Sequence, residues 1–335
     1  MKGNFWKVLA SGTIAASMLV GCSSGGAANE AVTLSEGDTV KIGLNYELSG
    51  NVATYGQAMN KGTELAIKQY NESEDAKYKA EAVSMDNKSD SGEAYSIATK
   101  LMTEDQVVMQ VGPATSGDSI ATYPAAEENQ TPVLSPAVTQ NGGMLKEDGS
   151  AYEYAWRVCF EDSAQASAMA VFAHENLGKT KAVVYSDATS DYAKGLAEDF
   201  TSKFEVAQES YSSGDTDFNA ALSKISEEDF DVLYVPGYYS ESGLIIKQAR
   251  DAGISQTILG PDGMDSPKLA ELAGEENLND VYFTTAYTTV DASEELTSFI
   301  EAYKAEYNEE PDMFSVLAYD ATNLGLQALE EAQET

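Results

Sequence analysis

From Val40 onward, short apolar runs rich in β-branched residues alternate with longer segments in which apolar residues recur at helical spacing. In the first half of the chain this pattern predicts strands at 40–44, 80–84, 107–111 and 131–134, helices at 55–70 and 93–103, and a helix that begins near Ser116. Alternation of this kind is typical of a parallel sheet that is covered by helices on both faces.

The same alternation of strand-like and helix-like segments begins again after Trp156 and Arg157. It predicts strands at 181–185, 231–235, 257–259 and 281–285, and helices at 164–177, 192–204, 218–225, 241–252, 294–307 and 314–331. Gly178 is expected to end the first of these helices. After the N-terminal segment about 300 residues remain, which is enough for two domains of ordinary size.

The N-terminus has the features of an export signal. Lys2 and Lys7 precede an apolar run at 8–20, and that run is shorter than the roughly 20 residues that span a bilayer. It ends in Leu-Val-Gly-Cys at 19–22, which resembles the lipobox of bacterial lipoproteins and predicts acylation of Cys22. We therefore expect an extracytoplasmic protein held at a bacterial membrane by a lipid anchor, with residues 1–22 as signal and 23–38 as a small, polar tether.

Charge and cysteine content narrow the possible partners. With 20 Lys and Arg against 55 Asp and Glu, the formal net charge is −35, so phosphates of nucleic acid and anionic lipid would repel this surface. Cys22 and Cys159 are the only cysteines. Because Cys22 is assigned to the anchor, no intramolecular disulfide is expected, and Cys159 is expected to be a small buried apolar residue.

Few residues in the sequence suit catalysis. The single histidine, His174, falls within a predicted helix rather than on a loop that follows a strand, so neither a Ser-His-Asp site nor a zinc site is expected. Gly178-Lys179-Thr180 follows a helix and precedes a strand, the reverse of the order in a phosphate-binding loop. We expect no enzymatic activity, no cofactor and no bound metal.

The loops after the strands can instead hold a small zwitterion, because ligands of open parallel sheets bind beyond the carboxyl ends of the strands. Ser116 at a predicted helix start, together with Thr139, suits a carboxylate, since a helix N-terminus presents free N–H groups. Asp262, held between Gly260-Pro261 and Gly263, suits an ammonium, and Tyr192 and Tyr238 stand at two other loops. Singly, each of these residues could equally be a helix cap, a turn former or packing.

Several segments resemble one family. They are IGLNYELSGNVATYGQAMNKGTELAI, VGPATSGDS, VLSPAVT, YSDATSDYAKGLAEDF, VLYVPGYYSESGLIIKQAR, LGPDGMDSPKL and FSVLAYDATNLGLQAL. From about Lys41 to Gln333 the chain is similar to the branched-chain amino-acid (Leu/Ile/Val-type) substrate-binding proteins of ABC importers, which have the type I periplasmic-binding fold. The resemblance implies an α/β protein of two doubly wound parallel-sheet lobes joined by a hinge, which closes on its ligand like a Venus flytrap.

The resemblance also implies roles for individual residues. The ligand's α-carboxylate would be bound by Ser116, the backbone of Ala137, and Thr139. The α-ammonium would be surrounded by Tyr192, Tyr238 and Asp262. The ligand's side chain would be lined by Tyr55 and Phe314, with Phe160 or Trp156 as further candidates.

By the same resemblance, residues 39–157 with 285–335 would form the first lobe and 158–284 the second. The expected partners are a small amino acid, the permease subunits of an ABC transporter and the membrane through Cys22, with the protein itself a monomer. Two alternatives stay open at this point. One is a binding protein for small amides, urea-like solutes or aromatic acids, and the other is a sensory ligand-binding module.

Overall fold

Two parallel five-stranded sheets form the framework of the protein, as seen in a computed structural model that describes residues 34–202 and 204–332. The strands of the first sheet are β1 (Thr39–Tyr46), β2 (Lys79–Asp86), β3 (Met109–Val111), β4 (Val133–Ser135) and β5 (Ala155–Arg157). They lie in the order β2-β1-β3-β4-β5, and every neighbouring pair is parallel. In β1, Ile42 and Leu44 are completely buried, as expected for a strand covered on both faces.

The second sheet repeats the same plan. Its strands are β6 (Lys181–Asp187), β7 (Glu205–Tyr211), β8 (Val232–Tyr234), β9 (Thr257–Gly260) and β10 (Val281–Phe283). They are ordered β10-β9-β8-β6-β7, again all parallel. The predicted α/β fold with two parallel sheets is confirmed, whereas the exact bounds of the two lobes stay a prediction.

Helices connect successive strands and cover the sheets. They are α1 (Ala53–Glu72), α2 (Ser91–Thr103), α3 (Ser116–Asn129), α4 (Asp162–Val171), α5 (Asp191–Thr201), α6 (Asn219–Ile225), α7 (Tyr239–Asp251), α8 (Pro267–Ala273), α9 (Glu294–Tyr307) and α10 (Met313–Ala332). After α4 comes one π-helical turn, Phe172–Asn176, and Gly178 then takes a positive φ of 67°, so the predicted stop is correct. No helix in the described ranges is long and apolar enough to span a membrane.

The strand order determines where a ligand can enter. In the first sheet β2 and β3 lie on opposite sides of β1, so the connections that leave the ends of β1 and β3 diverge and open a crevice between them. Helix α3 begins at this crevice, where the Thr115 hydroxyl caps it by accepting from Asp118 N at 3.2 Å. A helix N-terminus therefore faces the crevice.

Four elements differ from the sequence-based prediction. The helix predicted to reach residue 204 ends at Thr201, and an unpredicted strand, β7, follows it. The sequence of β7, EVAQESY, lacks an apolar run because this strand lies at the edge of its sheet. Strand β5 and helix α8 were also missed; both are short, although Pro267 after the Ser266 cap is a recognisable helix start.

Candidate ligand-binding site

A small cavity lies at the carboxyl ends of the strands, with walls from elements of both sheets. Its lining residues are Tyr55, Ala114, Thr115, Ser116, Ala137, Thr139, Tyr192, Tyr238, Asp262, Gly263 and Phe314. Eight of the ten residues that were nominated for ligand binding, all except Trp156 and Phe160, are thus brought together around one space. Their contact with a ligand stays a prediction.

One wall of the cavity is built from the loops that follow β3 and β4. Ser116, the first residue of α3, is 2% exposed, and its hydroxyl accepts from Gln140 N at 3.3 Å. Ala137 and Thr139 follow β4 and are also buried. The first N–H groups of α3 have no partners within the helix, so this wall offers donors to an anion.

Glu47, which the sequence analysis overlooked, fixes the loop before α3. Its carboxylate accepts from Ala114 N at 2.9 Å and from Thr115 N at 3.0 Å, and the side chain is completely buried. Burial, with a contribution from the nearby Asp118 carboxylate, raises the pKa of Glu47 to about 8. An acid placed directly after a buried strand is the signal that could have identified it.

Asp262 dominates the opposite wall. It follows β9, is 4% exposed, and its Oδ1 accepts from the Tyr192 hydroxyl at 2.6 Å and from Gln165 Nε2 at 2.8 Å. Burial raises the pKa of Asp262 above its usual range. In the lining formed by the described part of the chain, Asp262 is the only charged residue, so this wall suits a cation.

Gln165 is a second residue that sequence reasoning missed. It lies on α4, 97 positions before Asp262, yet its Oε1 accepts from Asp262 N at 3.1 Å while its Nε2 donates to the carboxylate. The Thr284 hydroxyl donates to the same Oε1 at 2.5 Å. No local pattern distinguishes this glutamine from other polar residues of a helix.

The third side of the cavity is aromatic. The rings of Tyr55 and Phe314 stack at 4.1 Å between centroids, and Tyr238 packs edge-on against Tyr55 at 5.9 Å. Tyr238 also stacks on Tyr192 at 5.2 Å. This side therefore offers an apolar surface to whatever occupies the cavity.

Direct hydrogen bonds join the two sides of the cavity at its entrance. The Tyr55 hydroxyl, on α1, donates to Gly263 O and accepts from Tyr239 N at 3.3 Å. Close by, the hydroxyls of Thr54 and Ser266 are 3.0 Å apart. The two sides of the cavity are therefore in direct contact at these residues.

Other residues singled out from the sequence lie elsewhere. Trp156 is 58% exposed, and neither it nor Phe160 lines the cavity. Cys159, expected to be buried, is half-buried. His174 is exposed on the π-helical turn, and Cys22 lies outside the described residues. Residues 34–202 and 204–332 contain no group of three or more side chains that could hold a metal ion.

Comparisons with known proteins agree with this architecture. The model of a family described as periplasmic binding protein matches residues 39–335. A branched-chain amino acid transporter substrate binding protein from Streptococcus pneumoniae, solved with isoleucine, is 41% identical with a TM-score of 0.82, covering 87% of this chain and 83% of that one. A leucine binding protein from Thermotoga maritima is 34% identical with a TM-score of 0.81, covering 88% of this chain and 83% of that one.

A similar relation appears among curated sequences. A Leu/Ile/Val-binding protein homolog from Brucella melitensis is 29% identical over 304 residues, which is 88% of this chain and 80% of the relative. The likeness therefore spans both sheets rather than one of them.

Proposed function

The chain belongs to the periplasmic binding protein family, and from this premise we propose that it is the substrate-binding protein of an ABC importer that captures a small apolar amino acid. One observation carries the proposal: a donor-rich helix start and a buried carboxylate face each other across a single cavity. The isoleucine in the relative that is 41% identical supports the same class of ligand. The protein acts outside the cytoplasm, where we propose that acylated Cys22 anchors it.

In the proposed complex, the α-carboxylate of the ligand accepts hydrogen bonds from Ser116, Thr139 and the backbone at Ala137. Its α-ammonium pairs with Asp262, beside the hydroxyls and rings of Tyr192 and Tyr238. The ligand's apolar side chain lies against Tyr55 and Phe314. A zwitterion with an uncharged side chain fits because the aromatic side of the cavity carries no charge to match a second ionic group.

Capture and closure are then one event. The carboxylate-binding residues belong to the proposed first lobe, 39–157 with 285–335, and Asp262 to the proposed second lobe, 158–284. A ligand with both charges stabilises the closed form because only there are both of its ends satisfied. The closed protein is the form that we propose docks on the permease.

A thermal-shift screen of the twenty amino acids, small amides and aromatic acids tests the function. We expect leucine, isoleucine or valine to raise the melting temperature by several degrees, because a ligand at a hundred times its Kd adds about 2.7 kcal/mol to the free energy of unfolding. A shift only with amides or aromatic acids, which lack the α-ammonium, would contradict the proposal and favour the alternative ligand class.

A Tyr55→Phe variant tests the coupling between binding and closure. It keeps the ring against Phe314 but loses the hydroxyl bonds to Gly263 and Tyr239. Since each such bond contributes about 1 kcal/mol, the loss of two bonds should weaken binding roughly thirtyfold. X-ray scattering should also show a smaller population of the closed form at equal ligand concentration.

The matched control is Tyr70→Phe. The Tyr70 hydroxyl donates to Glu330 at 2.8 Å, away from the cavity lining, so its loss should leave affinity unchanged. Equal affinities for the Tyr55→Phe variant and the unmodified protein would show that these bonds do not contribute to closure.

A further inference from the structure

The loop after β4 makes polar contacts with two helices outside the ligand cavity. Asn141, in this loop, is exposed and is not among the residues that line the cavity. Its Oδ1 accepts from Ser163 N at 2.9 Å, and its Nδ2 donates to Asp199 Oδ2 at 2.6 Å. Ser163 is on α4 and Asp199 is on α5, so one amide side chain bridges two helices.

Both helices belong to the half of the molecule around the second sheet. Met169 of α4 and Phe200 of α5 are members of one apolar cluster, which also contains residues of β6, β8 and β9. Asn141 instead lies between β4 and β5 of the first sheet. Its two hydrogen bonds therefore join the two halves of the molecule.

The bond to Ser163 also satisfies the start of α4. The first N–H groups of a helix have no partners within it. In the part of the chain that the structure describes, the residue before α4, Glu161, makes no capping bond with its side chain. Asn141, 22 positions before Ser163, supplies a side-chain acceptor of the kind that an N-cap residue normally provides.

The contact at Asn141 lies across the cavity from the contact at Tyr55. In the first sheet β1 and β4 flank β3, so Tyr55, after β1, and Asn141, after β4, lie on opposite sides of the start of α3. In the second sheet β9 and β6 flank β8 in the same way. Gly263, which accepts from Tyr55, follows β9, and Asp199 is on the helix after β6. Direct bonds therefore join the two halves on both flanks of the cavity.

We propose that Asn141 is a latch residue, which stabilises the closed form of the cleft through α4 and α5 without touching the ligand. Its bonds of 2.6 and 2.9 Å are lost when their atoms separate by about 1 Å, so opening of the cleft breaks both. The latch then strengthens the binding of any ligand that requires closure. This inference rests on the proposed function, because it requires a ligand that is held between the two halves.

Isothermal titration calorimetry of Asn141→Ala with leucine, isoleucine and valine tests the latch. In the open form water satisfies both exposed groups, so we expect the loss of these two bonds to weaken binding about tenfold. The factor should be the same for all three amino acids, because Asn141 does not line the cavity. A loss confined to one amino acid would overturn the proposal by indicating that Asn141 contacts the ligand's side chain.

An exchange of the two side chains isolates the bond between Asn141 and Asp199. Asn141→Asp places two carboxylates against each other and should weaken binding by more than about tenfold. Adding Asp199→Asn supplies an amide that can donate to the carboxylate at position 141, which can still accept from Ser163 N. The double variant should therefore bind within about threefold of the unmodified protein. If it binds no better than Asn141→Asp alone, the latch is overturned.

Asn60→Ala is the matched control. Asn60 donates to Glu64 at 2.9 Å and accepts from the Ser84 hydroxyl at 2.7 Å, so it too uses both ends of its amide. Its partners are on α1 and β2, which belong to the same half as Asn60 itself. This variant should keep its affinity, and melting temperatures without ligand show that each variant is folded.

Failure of the latch and failure of the proposed function give different results. If the unmodified protein binds leucine, isoleucine or valine and Asn141→Ala binds equally well, the latch alone is wrong. If the unmodified protein binds no amino acid, the proposed function is wrong, and this inference falls with it.

Discussion

An Asp262→Asn variant is expected to bind its amino acid more than about a hundredfold more weakly and to remain folded. Asp262 is the only charged residue in the described lining of the cavity, and it is 4% exposed. Without it, the ligand's ammonium would enter a desolvated space with no counter-charge, which costs about 3 kcal/mol or more. Isothermal titration calorimetry, with the melting temperature as the measure of folding, checks this.

The stability of this variant has a definite sign. Because burial raises the pKa of Asp262, the ionised side chain destabilises the ligand-free fold at neutral pH, and an asparagine relieves that cost.

The matched control is Asp265→Asn, three residues further on. Asp265 bonds to Thr285 at 2.7 Å and does not line the cavity, so this variant should bind normally. Normal binding by Asp262→Asn would remove Asp262 from the site.

Replacing Gly56 by alanine is expected to destabilise the protein by about 2–3 kcal/mol, although alanine normally strengthens a helix. Gly56 is buried within α1, and a Cβ there would lie only 2.6 Å from the backbone nitrogen of Glu47. Backbone atoms cannot move aside as a flexible side chain can. The helix must therefore shift away from the end of β1, and chemical denaturation should show a lower free energy of unfolding.

At Gly195 we expect substitution by alanine to have the opposite effect on stability. It lies within α5, and a Cβ at this position would meet nothing within 4 Å. Gly195→Ala should therefore stabilise the protein by about 0.5–1 kcal/mol, through helix propensity alone. If both variants shifted stability in the same direction, crowding at Gly56 would not be the cause.

The Gly56 variant should also weaken ligand binding. Tyr55, the preceding residue, bonds across the entrance to Gly263, and Glu47 holds the loop at Ala114 and Thr115. A displaced α1 would disturb both the hydrogen bond of Tyr55 and the loop that Glu47 holds. We therefore expect the loss of affinity to accompany the loss of stability, whereas Gly195→Ala should bind as the unmodified protein does.

Much of this architecture could be predicted because its signals are local. Apolar runs and helical spacing located most strands and helices within a few residues, and their alternation indicated parallel sheets. Placing ligands beyond strand ends then pointed to Ser116, Thr139 and Asp262, all of which line the cavity. The misses, β5, β7 and α8, are short or lie at an edge, where little apolar surface is buried and the pattern is weak.

Only the tertiary structure decided which side chains act together. The contact between Gln165 and Asp262 spans 97 positions, and that between Tyr55 and Gly263 spans 208. Each crossover of a parallel sheet brings distant segments to the same edge, so no local pattern records such a contact. Burial was equally invisible in the sequence for Asp162, which resembles any other acid of an acidic protein until the fold removes it from water and raises its pKa.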